Sequence, residues 1–396
     1  MGTPSTRSIA KQVEQVDQVE QVEQVDQVDR VKYITTKDNI GMKFIVLGAG
    51  AVGCYVGGRL AAQGHAVWLV GRARALDPIA QQGLRVTDLD GLDQQVAPSA
   101  LRLVHAVADA VADALGGELG GESTTVPARM APAGTTHCAD CVVLLCVKSG
   151  ATESAARELA AVCAPGTPVI SLQNGVDNVA RIKALAPGLH VLAGMVPYNV
   201  VLRGPHVHRA TAGHLQLQRD AVTQRIAPLW RAAGLATVLP ADIRAVQWGK
   251  LLLNLNNPVN ALSNLPLRDE LLDRDYRRVF AALQTEALSV MARAGIAPAQ
   301  ITAVSPALMP HVLRLPNWLF TRLARRMLQI DAHARSSMWD DLEAGRVTEI
   351  DALCGAVVRL AEEHGMVAPL NAKMCEWLGG PRQRLGGAQM RRLLGV

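Results

Sequence analysis

The spacing of apolar positions divides this chain into parts of different character. Between residues 43 and 185, short apolar runs alternate with longer segments of helical period, which is typical of a parallel sheet whose strands are joined by helices. From about residue 242 the short runs disappear and only helical patterns remain. The pattern predicts an α/β domain over residues 42–238, followed by a mostly α-helical C-terminal domain over residues 239–396.

Strands and helices are predicted at regular intervals in the first domain. The predicted strands are Lys43–Leu47, Ala66–Val70, Cys141–Val147 and Pro168–Leu172, and the predicted helices are Ala51–Gln63, Ala73–Gln82, Ala151–Cys163 and Val176–Leu185. A Gly-, Ser- and Thr-rich stretch at about residues 116–136 interrupts this order and is interpreted as a surface insertion. In the second domain the clearest predicted helices are Leu251–Leu262, Tyr276–Ala294 and Glu349–His364.

The amino-terminal residues follow a third pattern. Valine recurs at every third position from Val13 to Val31, separated by Gln and acidic residues. A period of three fits neither a helix nor a strand, so no continuous apolar face forms. We expect residues 1–41 to be a disordered, low-complexity extension.

Composition narrows the class of protein. An apolar fraction of 49% with 19% charged residues is globular. The longest apolar runs fall far short of the ~20 residues that a membrane helix needs, and no apolar signal core is visible. Net charge is +5, but the basic residues are dispersed and aromatics make up only 3%, so few side chains could stack on bases. We therefore expect a cytoplasmic protein that has neither a membrane nor a nucleic acid as a partner.

The seven cysteines do not have the spacing of a disulfide scaffold. Cys138 and Cys141 form a C-x-x-C pair, but this pair enters a predicted strand, whereas a redox pair needs a helix start. A zinc site would need two more ligands, and the nearby Cys146 belongs to the same buried strand. No metal is expected.

The first loop of the α/β domain carries a dinucleotide-binding pattern. Gly48, Gly50, Ala51, Val52 and Gly53 belong to a G-x-G-x-x-G motif that follows a predicted strand and opens a predicted helix. In that setting the glycines allow a tight turn and let the backbone approach a diphosphate, which faces the amide groups of the helix start. The motif predicts a bound dinucleotide and makes residues 42–238 an α/β Rossmann dinucleotide-binding domain.

Residues at the ends of the other strands refine this prediction. Arg72 stands where an NAD-selective protein would carry an acid for the ribose 2′-hydroxyl. A guanidinium suits a 2′-phosphate, so we expect NADPH/NADP+, with Arg74 as a second candidate. Lys148 and Asn174 follow two further strands and are candidates for cofactor contact, with loop capping as the alternative for each.

A polar stripe marks the start of the helical domain. Lys250, Asn254 and Asn257 are spaced i, i+4 and i+7, so they share one face of a predicted helix. A lysine beside a carbonyl group can stabilise negative charge on its oxygen and then protonate it. Burial would bring the pKa of this lysine closer to neutrality. Further on, Thr348 could have only a structural role as the cap of the next long helix. The acidic residues of the first turn of that helix could likewise be there only because carboxylates stabilise a helix amino terminus.

Seven motifs follow one another along the chain: GAGAVG, LVGR, CVK, LQNGV, the K-LLL-N helix, SSMWDDL and TEID. With these motifs in this order, the chain resembles the ketopantoate reductase family (2-dehydropantoate 2-reductase) over nearly all of residues 42–380. The resemblance implies NADPH-dependent reduction of 2-dehydropantoate to pantoate, a step of pantothenate and coenzyme A biosynthesis. It implies that Lys250 is the general acid and that Asn254 and a second helix amide hold the substrate. It also implies that Ser337 contacts the substrate carboxylate, while Glu349 orients the substrate hydroxyl or the cofactor.

The second amide departs from the family pattern, in which it lies eight residues after the lysine and directly before a proline. Here that position is Pro258 itself; Asn257 keeps the Asn-Pro pairing one residue earlier, and Asn256 is its rival. Two other functions stay open: an NADPH-dependent reductase of another small 2-keto acid, and a non-catalytic NADP-binding regulatory protein. Lys250 argues against the second. The oligomeric state, a homodimer included, is left open.

Overall fold

The computed structural model describes residues 42–116, 141–325, 328 and 334–396. The predicted amino-terminal extension, Cys138 and nearly all of the predicted insertion lie outside these residues. The described chain forms two compact units, the first ending at Ile243 and the second running from Arg244 to Val396.

The first unit contains the strands of the protein. They are β1 Lys43–Leu47, β2 Ala66–Val70, β3 Leu84–Asp88, β4 Asp93–Val96, β5 Arg102–Val104, β6 Cys141–Leu145, β7 Pro168–Ser171, β8 His190–Met195, β9 Val200–Arg203, β10 His206–Arg209, β11 Leu215–Leu217 and β12 Thr237–Val238. Its helices are α1 Ala51–Ala62, α2 Ala73–Gln82, α3 Val107–Gly116, α4 Thr152–Val162, α5 Asn178–Leu185 and α6 Ala221–Ala232.

An eight-stranded sheet in the order β12-β11-β8-β7-β6-β1-β2-β5 forms the centre of this unit. Strand β1 is parallel to both of its neighbours, with Leu47 opposite Val70 of β2 and Leu145 of β6. Side chains of β1 enter two apolar cores, Phe44 one and Ile45 the other. Such a strand is apolar along its whole length because both faces of the sheet are covered.

A second sheet, in the order β4-β3-β10-β9, lies on the far side of α1. Two adjacent glycines let α1 pack between the sheets: a Cβ at Gly57 would lie 3.3 Å from Val46 of β1, and one at Gly58 would lie 2.8 Å from Val86 of β3. The α/β fold class is confirmed, and the predicted strands and helices of this unit are all present within two residues of their bounds. The second sheet was not predicted.

In its described residues the second unit contains helices and connecting loops, with no strand. Its helices are α7 Ile243–Asn254, α8 Asn256–Ser263, α9 Leu267–Leu272, α10 Arg274–Arg293, α11 Met309–Leu313, α12 Asn317–Leu323, α13 Ser337–Glu343, α14 Ile350–Glu363, α15 Pro369–Gly379 and α16 Gly387–Leu394. The longest, α10, packs against α8, α9, α11, α14, α15 and α16, while α13 packs against α8.

One predicted helix is wrong in its continuity. The apolar period predicts a single helix over residues 251–262, but the chain breaks at Leu255 into α7 and α8. Pro258 explains the break, because it has no N–H to donate to the carbonyl of Asn254 and its ring crowds that carbonyl. Lys250 and Asn254 therefore lie on α7, whereas Asn257 lies on α8.

In the stretches of chain that the structure describes, every helix is too short or too polar to cross a membrane.

Candidate active site

The glycine loop between β1 and α1 is held tightly against its neighbours. Gly48 has a φ of +119°, a conformation that side chains disfavour. Its N–H and that of Ala49 both donate to the carbonyl of Val70, at 3.0 and 3.1 Å. A Cβ at Gly48 would lie 2.7 Å from the backbone nitrogen of Val147. Only glycine fits at this position.

The other two glycines of the motif differ in what surrounds them. A Cβ at Gly53 would lie 2.0 Å from the carbonyl oxygen of Gly48, so α1 packs directly onto the loop. At Gly50, by contrast, nothing lies within 4 Å of an added Cβ. Gly50 has no side chain to cap α1, and the first turn, which includes Ala51 and Val52, carries no acid. Open space beside uncapped helix amides fits a diphosphate.

The remaining cofactor candidates lie along the same edge of the large sheet. Strands β7, β6, β1 and β2 are adjacent and parallel, so their carboxyl ends meet there. Arg72 is exposed just after β2, Lys148 is exposed after β6, and Asn174 is half-buried after β7. The structure thus brings the predicted cofactor residues of this unit together.

A buried polar network that the sequence did not reveal supports Asn174. The side chain of Gln173 donates to the carbonyl of Val147 at 3.0 Å and to the hydroxyl of Thr152 at 2.8 Å. Asn178 accepts from Thr152 at 3.0 Å and donates to the carbonyl of Asn174 at 2.7 Å. The network ties the loop after β7 to the loop after β6, and the only signal in the sequence was a glutamine next to an apolar strand.

The environment of Lys250 suits proton transfer near neutral pH. Burial lowers the pKa of Lys250 to about 8, while the carboxylate of Glu349 acts in the opposite direction by favouring the charged ammonium. The two charges therefore lie within interaction range, although the residues are 99 positions apart in the sequence. The fold thus places the carboxylate of Glu349 where it acts on the ammonium of Lys250.

Glu349 does not serve as an ordinary helix cap. It occupies the residue directly before α14, and its side chain makes no capping hydrogen bond to that helix. The alternative in which Thr348 caps the helix is wrong, because Thr348 lies one residue outside the capping position. The Glu349 carboxylate is thus oriented by something other than the amino terminus of its own helix.

The substrate candidates lie around α8 and the start of α13. Asn254 and Asn257 are both half-buried, and Ser337 is exposed as the first residue of α13. Ser336, directly before it, caps α13 by accepting from the N–H of Trp339 at 3.2 Å and donates to the carbonyl of Asn257 at 3.3 Å. Ser337 and Asn257 are therefore held near each other.

Asn256 is engaged elsewhere. Its side chain is buried and its amide nitrogen lies 3.4 Å from Oε2 of Glu270, which is itself fully buried. This contact favours Asn257, with its half-buried side chain, as the second substrate amide.

Across the residues that the structure describes, no cluster of three or more His, Cys, Asp and Glu side chains could hold a metal ion. A glycine loop at the carboxyl edge of a parallel sheet is the feature of a dinucleotide-binding fold, and a lysine of lowered pKa in the helical unit is suited to the acid–base chemistry of an oxidoreductase.

Comparison with known proteins identifies the family. The model described as "Ketopantoate reductase PanE/ApbA" matches residues 44–221, and the one described as "Ketopantoate reductase PanE/ApbA C terminal" matches residues 242–381. The chain belongs to the ketopantoate reductase family, which confirms the resemblance noted in the sequence.

Individual relatives match along nearly their whole length. The chain is 29% identical over 337 residues to a 2-dehydropantoate 2-reductase of Halobacterium salinarum, covering 83% of this chain and 95% of the relative. A PanE/ApbA family ketopantoate reductase of known structure from Ralstonia eutropha JMP134 is 27% identical, with a TM-score of 0.66, covering 85% of this chain and 97% of that one. A D-mandelate dehydrogenase solved with NADH and anilino(oxo)acetate is 19% identical, with a TM-score of 0.64, covering 90% of this chain and 100% of that one. This last likeness concerns the fold alone.

Proposed function

We propose that this protein reduces 2-dehydropantoate to pantoate with NADPH, as a step in pantothenate and coenzyme A biosynthesis. The observation that carries the proposal is the pairing of Lys250, with its pKa lowered to about 8, and Glu349 in a member of the ketopantoate reductase family. A full-length relative named 2-dehydropantoate 2-reductase supports the choice of substrate.

Lys250 is the proton donor in this proposal. NADPH, when bound, would supply the hydride that the keto carbon takes up, and negative charge would develop on the keto oxygen. The ammonium of Lys250 stabilises that charge and donates a proton to the oxygen, which leaves a neutral amine. The carboxylate of Glu349 favours the charged form of Lys250, so the lysine is protonated at neutral pH.

The other polar residues of the second unit hold the substrate. The side-chain amides of Asn254 and Asn257 can each both donate and accept a hydrogen bond, which suits the keto oxygen and the hydroxyl of 2-dehydropantoate. The hydroxyl of Ser337 is exposed at the start of α13 and contacts the substrate carboxylate. Glu349 also orients the substrate hydroxyl.

The first unit binds NADPH. The open space at Gly50 and the uncapped start of α1 support diphosphate binding. The guanidinium of Arg72, exposed at the end of β2, binds the 2′-phosphate. Lys148 and Asn174, after β6 and β7, contact the rest of the cofactor.

A substrate panel tests the function as a whole. The purified protein is assayed for cofactor oxidation with 2-dehydropantoate, 3-methyl-2-oxobutanoate and phenylglyoxylate, each with NADPH and with NADH. We expect the highest kcat/KM for 2-dehydropantoate with NADPH. A higher value for phenylglyoxylate would favour a reductase of another 2-keto acid. Cofactor binding without any turnover would indicate a regulatory protein.

The pH dependence of kcat/KM tests the role of Lys250. A general acid must be protonated, so we expect kcat/KM to be constant below pH 8 and to fall tenfold per pH unit above about pH 8, where Lys250 loses its proton. Glu349→Gln removes the carboxylate that favours the ammonium and should move this limb to lower pH. If the decrease in kcat/KM began at the same pH in Glu349→Gln as in the wild type, Glu349 would have no influence on the protonation of Lys250.

A further inference from the structure

A buried acid–amide pair lies beneath the proposed substrate site. Glu270 of α9 and Asn260 of α8 are both 0% exposed. The side-chain nitrogen of Asn260 donates to Oε2 of Glu270 at 2.7 Å and to the carbonyl of Leu265 at 3.0 Å. Both amide hydrogens of Asn260 are thereby used, which fixes the direction of its oxygen.

The oxygen of Asn260 reaches the segment that carries Ser337. It accepts from the backbone N–H of Ser336 at 2.9 Å, and the hydroxyl of Ser336 donates to the carbonyl of Asn257 at 3.3 Å. A hydrogen-bonded chain therefore runs from Glu270 through Asn260 and Ser336 to the backbone of Asn257.

A second tie holds the other side of Ser337. The indole N–H of Trp339 donates to the side-chain oxygen of Asn264 at 2.8 Å. Asn264 ends α8 in the left-handed conformation, with a φ of 58°. Ser337 lies between the two ties, with Ser336 bound to Asn260 on one side and Trp339 bound to Asn264 on the other.

We propose that Glu270 and Asn260 are positioning residues that fix the Ser336–Ser337 segment against α8 and thereby set the affinity for the keto acid. The inference rests on the proposed function, because it takes Ser337 and Asn257 as the groups that hold the substrate. Neither Glu270 nor Asn260 touches the substrate.

The state of Glu270 suits this role. Burial raises the pKa of Glu270 to about 8, against the opposing effect of its hydrogen bonds from Asn260 and Asn256, so the carboxyl is largely neutral at pH 7. In the part of the chain that the structure describes, Glu270 Oε1 and Asn256 Oδ1 each have no hydrogen-bond partner. A neutral carboxyl supplies one O–H donor, and a glutamine side chain should replace it well.

The first arm of the test is kinetic. Asn260→Ala should raise KM for 2-dehydropantoate by about tenfold, the scale of a lost buried hydrogen bond, while kcat and the Kd of NADPH change little. Ser337→Ala should raise KM by a similar factor. Glu270→Leu should also raise KM, whereas Glu270→Gln should keep it near the wild-type value. If Asn260→Ala does not fold, Asn260→Thr, closer in volume, takes its place.

Asn371 provides a matched control. It is another fully buried amide of the same unit, and it donates to Oε2 of Glu286 at 2.7 Å. Asn371→Ala should lower the melting temperature as Asn260→Ala does, but leave KM unchanged. Equal KM values in the two variants would overturn the positioning role.

The second arm needs no substrate. Amide hydrogen exchange of the Ser336–Trp339 segment should be faster in Asn260→Ala and unchanged in Asn371→Ala. Unchanged exchange in Asn260→Ala would show that Asn260 does not fix the Ser336–Trp339 segment. Faster exchange with an unchanged KM would show that fixing this segment does not set the affinity for the keto acid. A wild-type protein that reduces no 2-keto acid would overturn the proposed function. Hydrogen exchange would even then test whether Asn260 fixes the Ser336–Trp339 segment.

Discussion

Replacing Lys250 by alanine should lower kcat by ~10²–10⁴-fold, the usual range for general acid catalysis. The variant loses the ammonium that stabilises charge on the keto oxygen and then protonates it. The Kd of NADPH should stay close to the wild-type value, because the residues proposed to bind the cofactor lie in the other unit. Single-turnover kinetics under saturating NADPH would measure the loss directly.

Lys373→Ala is the matched control for this variant. Lys373 belongs to the same unit, but it is partly exposed and pairs with the exposed Glu376 at 2.8 Å on α15. Its removal should leave kcat unchanged. A near-normal kcat in Lys250→Ala would mean that another group, or water, protonates the product, and the proposed mechanism would be wrong.

The second large effect concerns cofactor selectivity. Arg72→Ala should raise the Kd of NADPH by about 10- to 100-fold, since hydrogen bonds to charged groups contribute roughly 1.5–3 kcal/mol. NADH has no 2′-phosphate, so its Kd should change little. Fluorescence titration of each variant with both cofactors would measure the ratio of the two dissociation constants.

Arg74→Ala and Arg157→Ala are the control variants for that experiment. Arg74 lies two residues after Arg72 in the first turn of α2, and Arg74→Ala should have a smaller effect on NADPH. Arg157 is an exposed arginine of α4 that pairs with Glu153 at 3.3 Å, and its replacement should have none. If the unmutated protein bound NADPH and NADH equally, the assignment of Arg72 to the 2′-phosphate would be refuted.

Local sequence patterns made the proposed cofactor site at the carboxyl edge of the large sheet predictable. A Cβ would lie 2.7 Å from backbone at Gly48 and 2.0 Å from backbone at Gly53, whereas Gly50 has open space beside it, and the three glycines follow the fixed spacing of a dinucleotide-binding motif. The strands Lys43–Leu47 and Ala66–Val70 were predicted with their observed bounds, because parallel strands buried on both faces are short continuous apolar runs. The partnership of Lys250 and Glu349 came only from the family resemblance, since no spacing joins two residues so far apart.

The features that escaped prediction depend on tertiary contacts. The break at Leu255 was missed although Pro258 was visible, because the apolar period continues across it and outweighed the proline. Glu270 stands next to Asp269 in a short helix where an acidic residue would ordinarily face solvent, and only the fold shows that it is fully buried. Asn260 was likewise indistinguishable from its neighbours Asn256 and Asn257.

The second sheet has a consequence for synthesis of the protein. Strand β3 pairs at once with β4, but its other edge pairs with β10, and the ion pair that joins Asp88 to Arg209 links residues 121 positions apart. While the intervening chain emerges from the ribosome, the edge of β3 that will pair with β10 has no partner, and an unpaired strand edge is a template for association with other chains. That edge stays open until Arg209 and the rest of β10 have been synthesised.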